Sequence, residues 1–211
     1  TTPFENQYFY HIFNRGVEKR KIFADDRDYQ RFLEVLYYYQ FSGPKPRFST
    51  YKIFRDQGFK QNPKIVEIVC YCLMPNHFHL LIKQSGDKGI QQFMQKTCNS
   101  YTKYFNTRHN RVGPLFQNNF KAVQLEGDDQ LIHLSRYIHL NPYVSDLSKD
   151  LDSFYYSSYP DFIGKTFGQL CNMSPILEFF HGSNKYESFV RDYLDYADKI
   201  HQFKDLLIDV D

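Results

Sequence analysis

The sequence predicts an α+β sandwich. Three observations carry that expectation: an aromatic, strand-like run near the N-terminus, two apolar runs joined by a Pro-Asn turn, and three stretches with the three-and-four spacing of amphipathic helices. Residues 7–13 (Gln-Tyr-Phe-Tyr-His-Ile-Phe) are β-prone and end at the turn Asn14-Arg15-Gly16. Asp25-Asp26 opens a helix with Tyr29, Phe32, Leu33, Leu36 and Tyr37 on one face and its acidic pair at the positive end of the helix dipole. Gly43-Pro44 stops it. Residues 43–64 read as a polar excursion with room for a short strand and carry no assigned chemistry. Residues 65–73 are nearly continuously apolar, as expected of a central strand covered on both faces. After Met74-Pro75-Asn76 a second strand resumes over 78–83, which makes a hairpin at the centre of a sheet. Residues 89–109 form a helix with Ile90, Phe93, Met94, Thr97, Cys98, Tyr101 and Phe105 on one face. Residues 120–125 alternate like a strand, and Asp128-Asp129 starts a helix through Leu131, Leu134, Tyr137 and Ile138 to Pro142. The order β-α-β-β-α-β-α is that of a ferredoxin-like sandwich, with helices on one face of a central antiparallel sheet. A C-terminal helical extension follows, with a late helix near 186–200.

At 211 residues the chain holds one core and an appendage, read as a domain over 1–142 and an acidic extension over 143–211 packed on or over it. No run approaches the roughly 18 apolar residues of a membrane helix, and the first fifteen residues lack the apolar centre of a signal peptide. Cys70 and Cys72, one residue apart inside an apolar run, read with Cys98 and Cys171 as free thiols. These features predict a cytoplasmic protein with no membrane partner.

The net charge of +2 conceals an asymmetry, because residues 88–125 carry six basic and no acidic side chains whereas 142–211 carry a net charge of −6. A stretch that is both basic and aromatic suits a surface that tracks phosphates and stacks bases. The other reading is a solvated helix face. On the first reading Lys96, Lys103, Arg108, Arg111, Phe116 and Lys121 are candidate nucleic-acid contacts. The acidic extension would then cover that basic surface as a mimic of DNA.

His77-Phe78-His79 is the sharpest chemical feature. On a strand the two imidazoles share one face while Phe78, Leu80 and Ile82 point into the core, and two imidazoles at that spacing can bind one metal ion. Alternatives are a pair of histidines satisfied within the sheet, or a zinc site shared with Cys70 and Cys72 whose spacing matches no standard zinc motif. On the last core helix His133, Tyr137 and Asn141 share a face. A phenol there suits a nucleophile toward phosphate, with Asn141 lending an amide oxygen to a metal, but spacing alone does not select Tyr137 among 18 tyrosines.

The set Leu73-Met-Pro-Asn-His-Phe-His-Leu-Leu-Ile82, Tyr101-Thr-Lys-Tyr-Phe-Asn106, Gly113-Pro-Leu-Phe-Gln117 and Tyr137-Ile-His-Leu-Asn-Pro142 resembles the single-tyrosine HUH transposases of the insertion-sequence-200-like superfamily. The REP-associated tyrosine transposases are the nearest branch. The likeness runs from about Tyr8 to Pro142, with Ser157-Ser-Tyr159 also similar to a downstream segment. It implies His77 and His79 as the metal pair, Tyr137 as the nucleophile and Asn141 in the place of a third ligand that is often Gln. Phe116 stands where relatives usually have Trp. The resemblance further implies a Mg²⁺ or Mn²⁺ cofactor, a single-stranded or hairpin DNA partner whose phosphates Asn14, Arg15 and the Lys19-Arg20-Lys21 cluster would bind, a 5′-phosphotyrosine intermediate, and work as a monomer or homodimer in DNA transposition or processing of repeat hairpins. A DNA-hairpin-binding protein without cleavage, and a phosphohydrolase that uses water in place of Tyr137, are the two other readings.

Overall fold

A computed structural model describes residues 4–54 and 58–194. Four strands, β1 (Phe9–Arg15), β2 (Val66–Met74), β3 (His77–Gln84) and β4 (Lys121–Gln124), form one antiparallel sheet in the order β2-β3-β1-β4, the ferredoxin-like arrangement. Helices α1 (Asp26–Tyr39) and α3 (Gly89–Arg108) cover one face. Asp25 caps α1 by accepting from the backbone N–H of Arg27 at 3.0 Å, which satisfies a donor the first helical turn leaves open. Tyr29, Phe32 and Leu36 from α1, and Ile90, Phe93, Tyr101 and Phe105 from α3, meet Ile12, Phe78, Leu80 and Ile82 of the sheet in one buried cluster. These are the faces the sequence periodicity predicts.

Two expectations are corrected. The helices do not lie on one face: α4 (Asp128–Val144) packs on the other, where Leu131, Ile138 and Leu140 meet Val69, Cys70, Cys72 and Leu81. Strand parity requires this second face to be apolar, since β2 and β3 are buried on both sides. Nor is β2 central, because it is the edge strand of the sheet. The C-terminal extension seals that edge: Leu73 N–H donates to Tyr156 O at 2.8 Å, Ser158 N–H to Tyr71 O at 3.0 Å, and Asn172 N–H to Ile68 O at 2.8 Å. A covered edge looks central in sequence because it no longer presents a polar margin. A register shift between Ile68 and Cys70 keeps both apolar sets of β2 in phase with their faces.

The polar excursion holds a short helix, α2 (Phe48–Phe54), rather than a strand, and Phe41, Phe48, Tyr51 and Phe59 pack around Tyr38 in a small satellite core. The extension carries α5 (Tyr159–Phe162), α6 (Ser174–Phe180) and α7 (Ser183–Arg191). Its described part packs on β2 and α4, and Tyr156 stacks on Tyr29 of α1 at 3.7 Å between ring centroids. Among the described residues the extension meets β2, α4 and α1 and forms no DNA-like cover over α3, while residues 195–211 of the acidic tail lie outside the described residues. The last part of the expected helix near 186–200 lies outside the described residues. Among the described residues no helix is long and apolar enough to cross a membrane.

Candidate active site

The turn Met74-Pro75-Asn76 is held by the loop after β1: Gly16 N–H donates to Asn76 O at 2.8 Å, and Ile22 N–H to Pro75 O at 2.8 Å. That tie sets Arg15 opposite His77 and Phe13 opposite His79 in the β1–β3 ladder. Both imidazoles project onto the α4 face, away from Phe78, as the alternation requires. Their ring centroids lie 5.0 Å apart.

Helix α4 brings Tyr137 and Asn141 to the same place from the same chain. The Tyr137 ring stands edge-on to His79 at 5.6 Å and to His11 at 6.2 Å between centroids. Asn141 Oδ1 lies 3.3 Å from His77 Nε2. Since Tyr137 and Asn141 are four residues apart, one helix face reaches both imidazoles. His133, one turn earlier, turns instead to Arg136 and Phe189.

Hydrogen bonds decide which nitrogens are open. His77 Nδ1 lies 2.7 Å from Asn76 Oδ1, which can only accept, so Nδ1 carries the hydrogen and the neutral ring has its lone pair on Nε2. That lone pair faces the Asn141 oxygen, a second acceptor. A proton on Nε2, a half-turn of the amide or a bound cation would each reconcile the pair. His79 Nδ1 pairs with His11 Nε2 at 3.0 Å, while His79 Nε2 is buried with no hydrogen-bond partner. Burial, followed by the nearby His77 and His11, pushes His79 well below the ordinary imidazole range. It therefore stays neutral, and its orphaned nitrogen is the buried polar atom that a divalent cation would satisfy. The donor set of two imidazoles and one amide fits such an ion. Among the described residues no group of three or more His, Cys, Asp or Glu side chains could hold a metal. Cys70 and Cys72 are packed, with burial raising both thiols, which disfavours the thiolates a zinc site needs.

A cleft of about 260 Å³ opens on His77 and His79, and Arg15, Lys19 and Lys121 also line it. Tyr137 meets the imidazoles from the α4 side and is not part of the cleft wall. Of the residues expected to contact nucleic acid, Arg15 and Lys121 stand at this cleft, Arg15 Nε donating to Gln117 Oε1 at 2.5 Å. Asn14 lines it too, but its side chain is a brace, donating to Asn118 O at 3.1 Å and accepting from Arg15 N–H at 2.8 Å. Lys96 and Lys103 are exposed on α3 outside the cleft. Arg111 donates to Asn106 Oδ1 at 2.7 Å and to Pro114 O at 3.3 Å.

Two expectations fail here. Arg108 is spent on carboxylates, with Nη2 2.5 Å from Asp25 and Nη1 2.5 Å from the fully buried Asp28, so it ties α3 to α1 and is not available to a phosphate. Phe116 is 8% exposed and packs against Phe78 and Tyr101, so it offers no open ring face for stacking.

Sequence reasoning missed His11 and Asn76, the partners that orient the two imidazoles. The signal for His11 was its parity with Phe13 on β1, which becomes informative only once Phe13 is paired with His79. It also missed the network behind α4. His139, fully buried, donates from Nδ1 to Tyr186 OH at 2.7 Å, which donates to Ser135 Oγ at 3.0 Å and on to Ile132 O at 2.7 Å. On the other side Tyr71 N–H donates to Ser158 Oγ at 2.9 Å, and Ser158 lies 2.8 Å from His139 Nε2. Burial holds His139 down to about 3, so it is neutral and each nitrogen has one role.

With the fold and site in place, the class to which they are similar is that of the IS200-like transposases: the family model of that description matches residues 47–141, a span from the excursion before β2 to Asn141. The likeness carried by the sequence motifs thus holds over that span. Among solved structures, a REP-associated tyrosine transposase bound to a REP hairpin is similar in fold, with a TM-score of 0.54 at 14% identity over 83% of this chain and 94% of that one. A candidate transposase from Deinococcus radiodurans R1 aligns at 11% identity and a TM-score of 0.37 over 71% of this chain and 98% of that one. No curated protein gives a significant match.

Proposed function

We propose that this chain is a metal-dependent, single-strand-specific DNA nicking and joining enzyme with Tyr137 as nucleophile, acting on hairpin DNA. The observation that carries the reading is the convergence of His77 and His79 from β3 with Tyr137 and Asn141 from α4 on one end of one sheet face. The DNA-hairpin ligand of the solved relative supports the substrate class. His77, His79 and Asn141 would hold a divalent cation, Mg²⁺ or Mn²⁺, which would supply positive charge to the scissile phosphate. Arg15, Lys19 and Lys121 draw the strand's phosphates into the cleft. Tyr137 attacks phosphorus through its phenolic oxygen, a P–O bond to the tyrosine forms, and the bond to the 3′ oxygen breaks. The phenolic proton ends on that oxygen, leaving a free 3′-OH and a 5′-phosphotyrosine. Because the number of phosphodiester bonds is unchanged, a second 3′-OH can reverse the step without ATP. Asn76 accepts from His77 Nδ1–H, and His11 Nε2 stands where it can accept from His79 Nδ1–H, the neutral tautomers that leave both Nε2 lone pairs open.

The test is incubation with a pool of single-stranded hairpin oligonucleotides and Mn²⁺, followed by a denaturing gel and peptide mass mapping. The expected result is a DNA adduct on Tyr137, absent in Tyr137→Phe and in chelator. Retention of DNA with no adduct across a wide pool would overturn the nuclease reading in favour of binding alone.

A further inference from the structure

A second groove of about 390 Å³ adjoins the cleft and shares Asn14, Asn118 and Asn119 with it. One wall is a stripe of α3, with Gln95, Asn99 and Thr102 at the i, i+4 and i+7 positions of one helix face. Asn118 and Asn119 stand opposite. The floor is apolar, formed in part by Leu115 and the half-buried Phe120.

Two properties separate this groove from the cleft. No ionisable side chain other than the buried-sided thiol Cys98 lines it, whereas the cleft carries Arg15, Lys19 and Lys121. And the side chains of Gln95, Asn99, Thr102, Asn118 and Asn119 make no hydrogen bond to the described residues, so their donors and acceptors are unspent. A phosphate-tracking surface needs cations, which this one lacks. Carboxamides present a donor and an acceptor side by side, the pattern that pairs with the edge of a base, and an apolar floor suits its flat face.

We infer that this groove seats an unpaired nucleobase of the strand whose phosphate lies in the cleft, and reads it through the amides of Gln95, Asn99, Asn118 and Asn119. The inference rests on the proposed DNA substrate and adds a division of labour: cations in the cleft hold the backbone, and neutral amides in the groove choose the base. The Asn14 side chain, bonded to the Asn118 carbonyl, braces the seam between the two.

The test measures equilibrium binding of the full chain, by fluorescence anisotropy in chelator, to a labelled hairpin oligonucleotide with single-stranded flanks, each flank position in turn made abasic. One or two positions are expected to weaken wild-type binding by about 5- to 150-fold when abasic. The double variant Gln95→Ala/Asn99→Ala is expected to lose that sensitivity while keeping the salt dependence of wild type, because no phosphate contact is removed. Sensitivity to no flank position, or a variant weakened equally on every oligonucleotide with a shallower salt slope, would overturn the inference and leave the proposed function standing. Failure of wild type to bind any oligonucleotide would overturn both.

Discussion

The His139 network gives a quantitative expectation for Tyr186→Phe. The wild-type hydroxyl accepts from His139 Nδ1 at 2.7 Å and donates to Ser135 Oγ at 3.0 Å, and all three residues are fully buried. The phenylalanine fills the same volume, so the change removes no packing and opens no cavity. What it leaves is a fully buried imidazole N–H facing a ring edge. A buried donor stripped of its partner costs about 1–3 kcal/mol. A tautomer change would relieve only part of that cost, since Ser158 Oγ already accepts from Tyr71 N–H at 2.9 Å and would have to redirect its own hydrogen to Tyr71 O at 3.3 Å. For a chain of this size each kcal/mol moves the melting temperature by about 2–4 °C. Thermal and urea unfolding should therefore show Tm lowered by several degrees, with an unchanged m-value because the buried area is the same. A Tm within one degree of wild type would refute the argument that this hydroxyl completes the anchorage of α4 to the extension.

Three further outcomes follow from the site. His11→Leu should lower Mn²⁺ affinity by about 10–100-fold in calorimetry, because His79 loses the partner that holds its ring and tautomer; an unchanged dissociation constant would remove His11 from the site. The Arg108 guanidinium holds the Asp25 carboxyl down to about 2, mainly by direct hydrogen bonding. Its folded value lies below the unfolded one, so Asp25 contributes to stability above about pH 4 and that contribution is lost as pH falls through about 2. In Arg108→Gln the carboxyl-carbon titration of Asp25 should move up toward the ordinary 3.8, and an unmoved midpoint would mean that the ion pair is not formed in solution. The same variant should bind hairpin DNA with the salt slope of wild type, since Arg108 faces carboxylates; a slope reduced by about one would return it to the phosphate-contacting set.

What could be read from the chain alone depended on whether the deciding contact was local. The faces of α1 and α3 were legible because periodicity reports burial one helix at a time: Phe32 and Leu36, or Phe93 and Tyr101, occupy the same stripe whatever lies opposite. His77 and His79 were legible because strand parity is equally local. Charge counting failed at Arg108 because the carboxylates that claim it lie some eighty residues earlier, on the capping turn of α1. The edge position of β2 was hidden because its sealing strand-like segment, 156–158, is polar and aperiodic. His11 was hidden because a histidine in an aromatic strand has no meaning until its neighbour across the ladder is known.

The placement of α4 shows how two local readings can decide a non-local one. Parity puts Phe78, Leu80 and Ile82 on one face of β3 and His77 and His79 on the other. The faces of α1 and α3 already account for the first set, through Phe32, Phe93 and Tyr101. A helix that carries the partner of the imidazoles must then cross the opposite face, so a sandwich with every helix on one side and a Tyr137 working beside His77 and His79 are incompatible. In the structure α4 lies on the second face, and its apolar residues Leu131, Ile138 and Leu140 bury Cys70, Cys72 and Leu81 there. That burial is what sets Tyr137 and Asn141 beside the imidazoles. Tyr137 and Asn141 occupy the one side of α4 that looks along the sheet to its open end, while His139, two residues from each, is turned into the extension and locked by Tyr186 and Ser158. The extension thus acts on the site through the rotation of one helix, since a twist of α4 that freed His139 would carry Tyr137 away from His79.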